Sequence, residues 1–217
     1  MPVGVPKIPF QISGDEEASW VDVYNGLYRR GFLFIVQEID TELSNQIVGL
    51  MVFLSLEGEV NDLYFFISSL GGSMVDGFAI FDMLVYLPPT MHTLSIGECA
   101  SMASLIVAGG TFTQRIALPH SRIMIHQPNT FPFETPTGET FLEIKEFCRL
   151  RALVGEAYAK ITGQPLWVVE IDLERDIFMS AQEAKDYGIV DLVASGKLEF
   201  SQKTPSVRKR PFEVFPS

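Results

Sequence analysis

The sequence predicts an α/β domain with a mainly parallel sheet, and three observations carry that expectation. Short apolar runs alternate with helical patterns along the chain, an order that sets parallel strands side by side with helices between them. The helical patterns are bounded by residues that start or stop helices: Asp40 before one, Pro88-Pro89 and Gly163 after others. The composition is that of a globular chain, with 47% hydrophobic and 20% charged residues among 217, enough for one sizeable core.

Taken in order, residues 1–18 are rich in Pro and Gly and are expected to form a flexible N-terminal arm. The domain is expected over 19–193. Phe32 to Val36 reads as a buried strand, and Asp40 then caps a helix. In that helix Leu43, Ile47, Leu50 and Leu54 recur at the spacing of a core-facing stripe. Leu63 to Ile67 is a second strand, followed by Gly71-Gly72 and a helix from about Met74 to Leu87. A third strand, Met91 to Ile96, leads through a short turn, Gly97-Glu98-Cys99-Ala100, into a helix opening near Ser101.

Two β-like segments follow, Gln114 to Leu118 and Arg122 to His126, with Pro128 stopping the second. A long helix spans roughly Gly138 to Ile161, and Phe147, Leu150, Val154, Tyr158 and Ile161 line one side of it. Lying between two pieces of the domain, it is expected to project. Residues 194–217 have little helical period and read as a C-terminal tail.

Charge and cysteine content narrow the function classes. A net charge of −11 argues against a nucleic-acid partner, and the basic cluster Arg208-Lys209-Arg210 reads as a solvated tail. Cys99 and Cys148 make no disulfide framework and no CxxC pair, which fits a reducing compartment. The start Met1-Pro2-Val3-Gly4-Val5-Pro6 has neither an apolar signal core nor an amphipathic transit helix, so no import or secretion signal is expected. The strongest apolar run, Ile47 to Leu56, is far short of the roughly 20 residues of a membrane span. There is no GxxxxGK[ST] phosphate loop, so any ATP must be hydrolysed by another chain.

Acyl transfer by serine needs a hydroxyl, a base, a group that orients the base, and donors for the oxyanion. Ser101 opens an apolar helix after a strand, where backbone N–H groups are free; taken alone, a serine capping its own helix is the commoner reading. His126 lies at the exit of an apolar strand, where the site residues of parallel sheets gather, while His92 and His120 look peripheral. Asp176 is a candidate acid, though Asp172 or Glu174 would serve as well on composition alone. Gly71-Gly72 could bring a backbone N–H near a carbonyl or be a plain turn. Cys99 is a rival nucleophile, but a small buried core residue is the favoured reading.

Together the segments resemble the ClpP family, the proteolytic subunits of ATP-dependent Clp proteases, over nearly all of Met1 to Val193. Three stretches carry the likeness: Gly97-Glu98-Cys99-Ala100-Ser101-Met102-Ala103-Ser104, Arg122-Ile123-Met124-Ile125-His126-Gln127-Pro128 and Glu174-Arg175-Asp176-Ile177-Phe178-Met179-Ser180-Ala181. They look like the family's nucleophile, histidine and aspartate segments, and the last picks Asp176 out of its acidic neighbours. Trp20-Val21-Asp22-Val23-Tyr24-Asn25, Pro165-Leu166-Trp167-Val168-Val169 and the N-terminal start look like the plastid-encoded branch.

The resemblance implies a crotonase-like fold of stacked ββα units, the long helix being a projecting handle. It implies a serine endopeptidase with Ser101, His126 and Asp176 as its triad and the N–H groups of Gly72 and Met102 as oxyanion donors. Substrate would lie extended beside Met74 and Asn129. It further implies heptameric rings stacked as a tetradecamer, with other Clp proteolytic subunits, in the chloroplast stroma. An AAA+ Clp ATPase would use ATP to feed in unfolded protein substrates, with no cofactor in this chain, no nucleic acid and no membrane span.

The chain departs from the family in places. Ser68-Ser69-Leu70-Gly71-Gly72 stands where Asn-Ser-Pro-Gly-Gly is usual, which is expected to loosen the oxyanion loop. Glu98 and Cys99 replace small or apolar residues and Ala103 replaces a glycine. Two other readings remain at this point: a structural ring subunit with little activity, and an acyl-CoA hydratase or isomerase on the same fold.

Overall fold

A computed structural model describes residues 4–10, 19–58, 61–129, 137–198 and 200. The chain begins with two antiparallel strands, β1 (Lys7–Phe10) and β2 (Ser19–Asp22), and the short helix α1 (Val23–Tyr28). Part of the stretch expected as a flexible arm is therefore a strand. Its Ile8 fits against Gly26, where any Cβ would stand 2.6 Å from the Ile8 Cδ1. Residues 1–3 and 11–18 of that expected arm lie outside the described residues.

The body is a twisting succession of strand and helix: β3 (Phe32–Ile35), α2 (Thr41–Glu57), β4 (Asp62–Ser69), α3 (Met74–Tyr86), β5 (Thr90–Ala100) and α4 (Met102–Ala108). Then come β6 (Arg115–Ala117), β7 (Arg122–Ile125), α5 (Thr137–Thr162), α6 (Leu166–Leu173), β8 (Ile177–Ser180), α7 (Ala181–Tyr187) and β9 (Leu192–Val193). The helices begin where the sequence offers caps. The Asp40 carboxylate accepts from Leu43 N at 2.8 Å, and Ser180 with Glu183 forms a reciprocal capping box on α7. Gly58 and Gly188, both left-handed, close α2 and α7.

The strands run parallel in the order β3-β4-β5-β6-β9, and β5 is the hinge of the sheet. Its first half pairs with β6; its second half pairs with β7. The stretch Gly97–Ala100, expected as a turn, is instead this second half. Gly97 supplies the bend at φ +62, and Cys99 and Ala100, fully buried, align with Ile123 and Met124. Strand β8 then closes on β7 in the antiparallel sense.

Side chains alternate across the sheet. Leu33, Ile35, Leu63, Phe65 and Ile67 face the main core with Leu43, Ile47, Met51 and Leu54 of α2 and the whole of α4. The opposite face carries Phe32, Tyr64, Leu94 and Phe66. A parallel sheet is normally covered on both faces, and here Leu198 and Phe200, from the segment expected as a tail, lie on that second face. The Phe200 ring meets Phe32 and Tyr64 edge-on, each at 5.3 Å. Residues 201–217, with the basic cluster Arg208–Arg210, lie outside the described residues.

Helix α5 matches the expected long helix within a residue at either end. Val154 and Tyr158 anchor its C-terminal half in the core, whereas from Glu139 to Leu153 it has no buried residue. Phe141, Leu142 and Ile144 stand exposed on that free part. No helix among the described residues is long and apolar enough to cross a membrane.

Candidate active site

Ser101 joins β5 to α4 with φ +56 and ψ −126, a backbone conformation that a serine rarely adopts. Its N–H is held by the Met124 carbonyl at 3.0 Å. The side chain makes no cap bond to α4, which removes the capping explanation; its Oγ lies 2.9 Å from His126 Nε2 instead.

Strand register brings the next pair together. β7 and β8 are antiparallel and end with Ile125 opposite Ile177, so His126 and Asp176 face each other one step beyond the ladder. His126 Nδ1 lies 3.0 Å from Asp176 Oδ1. The imidazole is largely covered, with 21% of its side chain exposed, while the carboxylate opens to solvent at 62%.

The competitors are engaged elsewhere. His92 stacks on Tyr64 at 4.4 Å and pairs with Asp62; burial pushes its pKa down. His120 sits in an exposed turn. The Asp172 carboxylate accepts from the Tyr187 hydroxyl at 3.0 Å, and Glu174 pairs with Arg151 at 2.5 Å. Cys99 is buried, with its Sγ 3.0 Å from the Ile67 carbonyl; burial raises the thiol pKa and keeps it protonated, as expected of a core cysteine.

Gly71 lies against Ser101, and Gly72 follows it against the Ile39 backbone. Gly71 has φ +98, and its Cβ position falls 2.8 Å from Ser101 Cβ. Gly71 O accepts from Ile39 N, and Ser73 N donates to Ile39 O, both at 2.8 Å. In this parallel bridge Gly72, the residue between, keeps its own N–H on the side away from Ile39. Met102 is the first residue of α4, and its N–H has no carbonyl one turn earlier in the helix to bond.

The loosening expected from Leu70 meets a loop held by other means. Ser69 Oγ donates to Gln37 O at 2.5 Å and accepts from Gly71 N at 3.2 Å, while Leu70 itself points outward, 69% exposed. Glu98 is also exposed and shares an open cleft with Glu38 and Leu70.

A small apolar pocket adjoins Ser101 and His126. Met74, Met102, Leu105, Pro128, Val154 and Tyr158 line it, which puts Met74 beside Ser101. Asn129 is exposed and not part of this lining. Val154 and Tyr158 could be found in the sequence only as members of a core stripe, since nothing local reveals that α5 folds back onto Ser101.

Comparison with known proteins bears on this arrangement. A family described as Clp protease matches residues 14–197. The chain belongs to the Clp protease family. Among its similar relatives, a protein of Nicotiana tabacum is 55% identical over 194 residues, 89% of this chain and 99% of the relative. One of Vitis vinifera is 53% identical with the same coverage, and one of Liriodendron tulipifera 54% identical, covering 89% of this chain and 96% of the relative. All three bear the name ATP-dependent Clp protease proteolytic subunit. Clp proteases of this type are serine peptidases, so the chain is a hydrolase of that class. Its α/β body with a parallel sheet accords with the Clp fold.

Proposed function

We propose that Ser101, His126 and Asp176 are the acyl-transfer machinery of this Clp protease subunit, with the N–H groups of Gly72 and Met102 as oxyanion donors. The observation that carries the reading is the continuous chain of contacts, Oγ to Nε2 at 2.9 Å and Nδ1 to Oδ1 at 3.0 Å. An ionised Asp176 can only accept, so the Nδ1 facing it bears the imidazole proton and Nε2 is left to take the proton of Ser101.

Ser101 Oγ then attacks the peptide carbonyl and its proton passes to Nε2. The oxyanion is met by the Gly72 and Met102 N–H groups, the latter also favoured by its place at a helix start. As the tetrahedral centre collapses, the C–N bond breaks and the imidazolium protonates the leaving amine. Water enters, gives a proton to Nε2, and releases the acid by the reverse sequence. The apolar pocket bounded by Met74 and Tyr158 takes a substrate side chain, and Asn129 flanks the extended peptide further along.

The names of the relatives support an ATP-dependent assembly in which a partner Clp ATPase spends the ATP and delivers unfolded protein. Heptameric rings stacked as a tetradecamer, with other Clp proteolytic subunits, are part of this proposal. The exposed Phe141, Leu142 and Ile144 on the free half of α5 support it, because such side chains on a projecting helix are covered by association. The flowering-plant sources of the relatives support the plastid stroma as the compartment. The triad geometry counts against both an inert ring subunit and a CoA hydratase.

The test is Ser101→Ala in the assembled complex. Peptide hydrolysis is expected to vanish while assembly by size-exclusion chromatography is unchanged; undiminished turnover would refute the proposal.

A further inference from the structure

Helix α4 is apolar apart from Ser104, which is fully buried. Its hydroxyl sits at a junction of three elements. Ser104 Oγ lies 2.6 Å from the Ser101 carbonyl oxygen, 2.8 Å from the Met124 carbonyl oxygen on β7, and 2.8 Å from the Tyr158 hydroxyl on α5. Both carbonyls can only accept, so the Ser104 proton goes to them and Tyr158 donates to Ser104 Oγ. The Tyr158 hydroxyl also approaches the Ser101 carbonyl at 3.5 Å. Tyr158 is buried, and burial pushes its pKa far above the ordinary phenol value, so it remains a donor.

The Ser101 carbonyl and the Met102 N–H belong to one planar trans peptide group. Fixing the direction of the C=O therefore fixes the direction of the N–H on the opposite side. Ser101 has φ +56 and ψ −126, a pair that a serine rarely adopts. Its carbonyl also accepts from Ser104 N at 3.0 Å and Leu105 N at 3.4 Å, so the two hydroxyls add to a hold that the first turn of α4 begins. The Met124 carbonyl, gripped by the same hydroxyl, belongs to β7, the strand that leads directly into His126.

We propose that Ser104 and Tyr158 are positioning residues that lock the Ser101–Met102 peptide plane and aim the Met102 N–H at the developing oxyanion. The inference rests on the peptidase reading above, and it makes α5 a direct mechanical support of the reaction centre. Neither residue touches the reacting atoms through its hydroxyl. Tyr158 has two separable parts, a ring that borders the substrate pocket and a hydroxyl that serves the peptide plane.

The test compares Tyr158→Phe, Ser104→Ala and the double variant with wild type in the assembled complex, using a short fluorogenic peptide and a peptide boronate. Tyr158→Phe keeps the ring and is expected to lower kcat about tenfold with KM unchanged, less than the 10²–10³ lost with a whole oxyanion donor. The boronate, whose adduct is tetrahedral, should weaken in proportion. Ser104→Ala should do the same, and the double variant should be no worse than the poorer single. Wild-type kcat in both single variants would overturn the inference, as would a raised KM at unchanged kcat, the mark of a pocket role alone. Ser101→Ala runs alongside. If it is dead while both single variants are fully active, only the positioning inference fails; if it retains turnover, the peptidase reading fails with it.

Discussion

Gly71 and Ser101 touch: a Cβ on Gly71 would stand 2.8 Å from the Ser101 Cβ and 3.0 Å from the Ala100 carbonyl oxygen. The glycine is required twice, since its φ of +98 is also one that L side chains rarely adopt. Gly71→Ala should therefore push the Gly71-Gly72 loop away from Ser101. Backbone strain of about 1–3 kcal/mol is expected, with a loss of at least about tenfold in kcat for a short peptide. Steady-state kinetics beside a thermal melt measure both; unaltered kcat would mean that the loop has no part in the reaction.

Among the described residues, the polar partner of the Asp176 carboxylate in the site is the His126 Nδ1 at 3.0 Å. Asp176→Asn keeps the shape but presents a donor as readily as an acceptor, which favours the wrong imidazole tautomer. A fall in kcat of about 10³–10⁴ is expected, with the fold intact. The comparison variants Asp172→Asn and Glu174→Gln should leave kcat within about twofold, because those carboxylates serve Tyr187 and Arg151.

Arg115, buried, and Asp191, partly buried, form an ion pair where β6 meets β9, with Nη2 to Oδ1 at 2.6 Å and Nε to Oδ2 at 2.8 Å. Burial opposes the charge on Asp191, but the hydrogen bonds from Arg115 outweigh it and hold the carboxyl below its ordinary range. A depressed folded pKa contributes stability that is complete above the ordinary carboxylate pKa and is lost as pH falls through the lowered value. Denaturant midpoints should thus decline below about pH 4 in wild type, with a shallower decline in Asp191→Asn. At neutral pH that variant should lose about 3 kcal/mol, since it leaves a buried guanidinium without its partner.

Phe200 closes the aromatic face of the sheet against Phe32, Tyr64 and Phe66. Phe200→Ala should cost about 1–2 kcal/mol and raise the fluorescence of a dye that binds apolar surface. No change in either would place Phe200 off that face in solution.

Much of this architecture was legible because it is local. The caps at Asp40, the stop at Pro88, the apolar stripe of α2 and the long α5 follow from residues within a few positions of one another. Alternation across β3 and β4 was hidden, because both faces of these strands are apolar; only the fold tells which aromatic side Phe200 covers. Gly97-Glu98-Cys99-Ala100 reads as a turn because the sequence cannot say that Cys99 and Ala100 find partners in Ile123 and Met124.

The site divides in the same way. His126 is marked by its place at a strand exit, whereas Ser101 reads alone as a capping serine and Asp176 as one of three equivalent acids, and the resemblance is what selects both. What separates them physically is distant: Asp172 and Glu174 are claimed by Tyr187 and Arg151, and strand register sets Asp176 opposite His126. Ser104 and Tyr158 carried no signal. A serine within an apolar helix and a tyrosine in a core stripe become a hydrogen-bonded pair only when residues 54 apart in sequence meet.

The most direct measurement is labelling of the assembled protein with a fluorophosphonate, followed by peptide mass spectrometry. The adduct is expected on Ser101 alone, and it should be formed at least about a hundredfold more slowly in His126→Ala. An adduct on another serine, or equal labelling of Ser101 without the imidazole, would contradict a hydroxyl activated by His126.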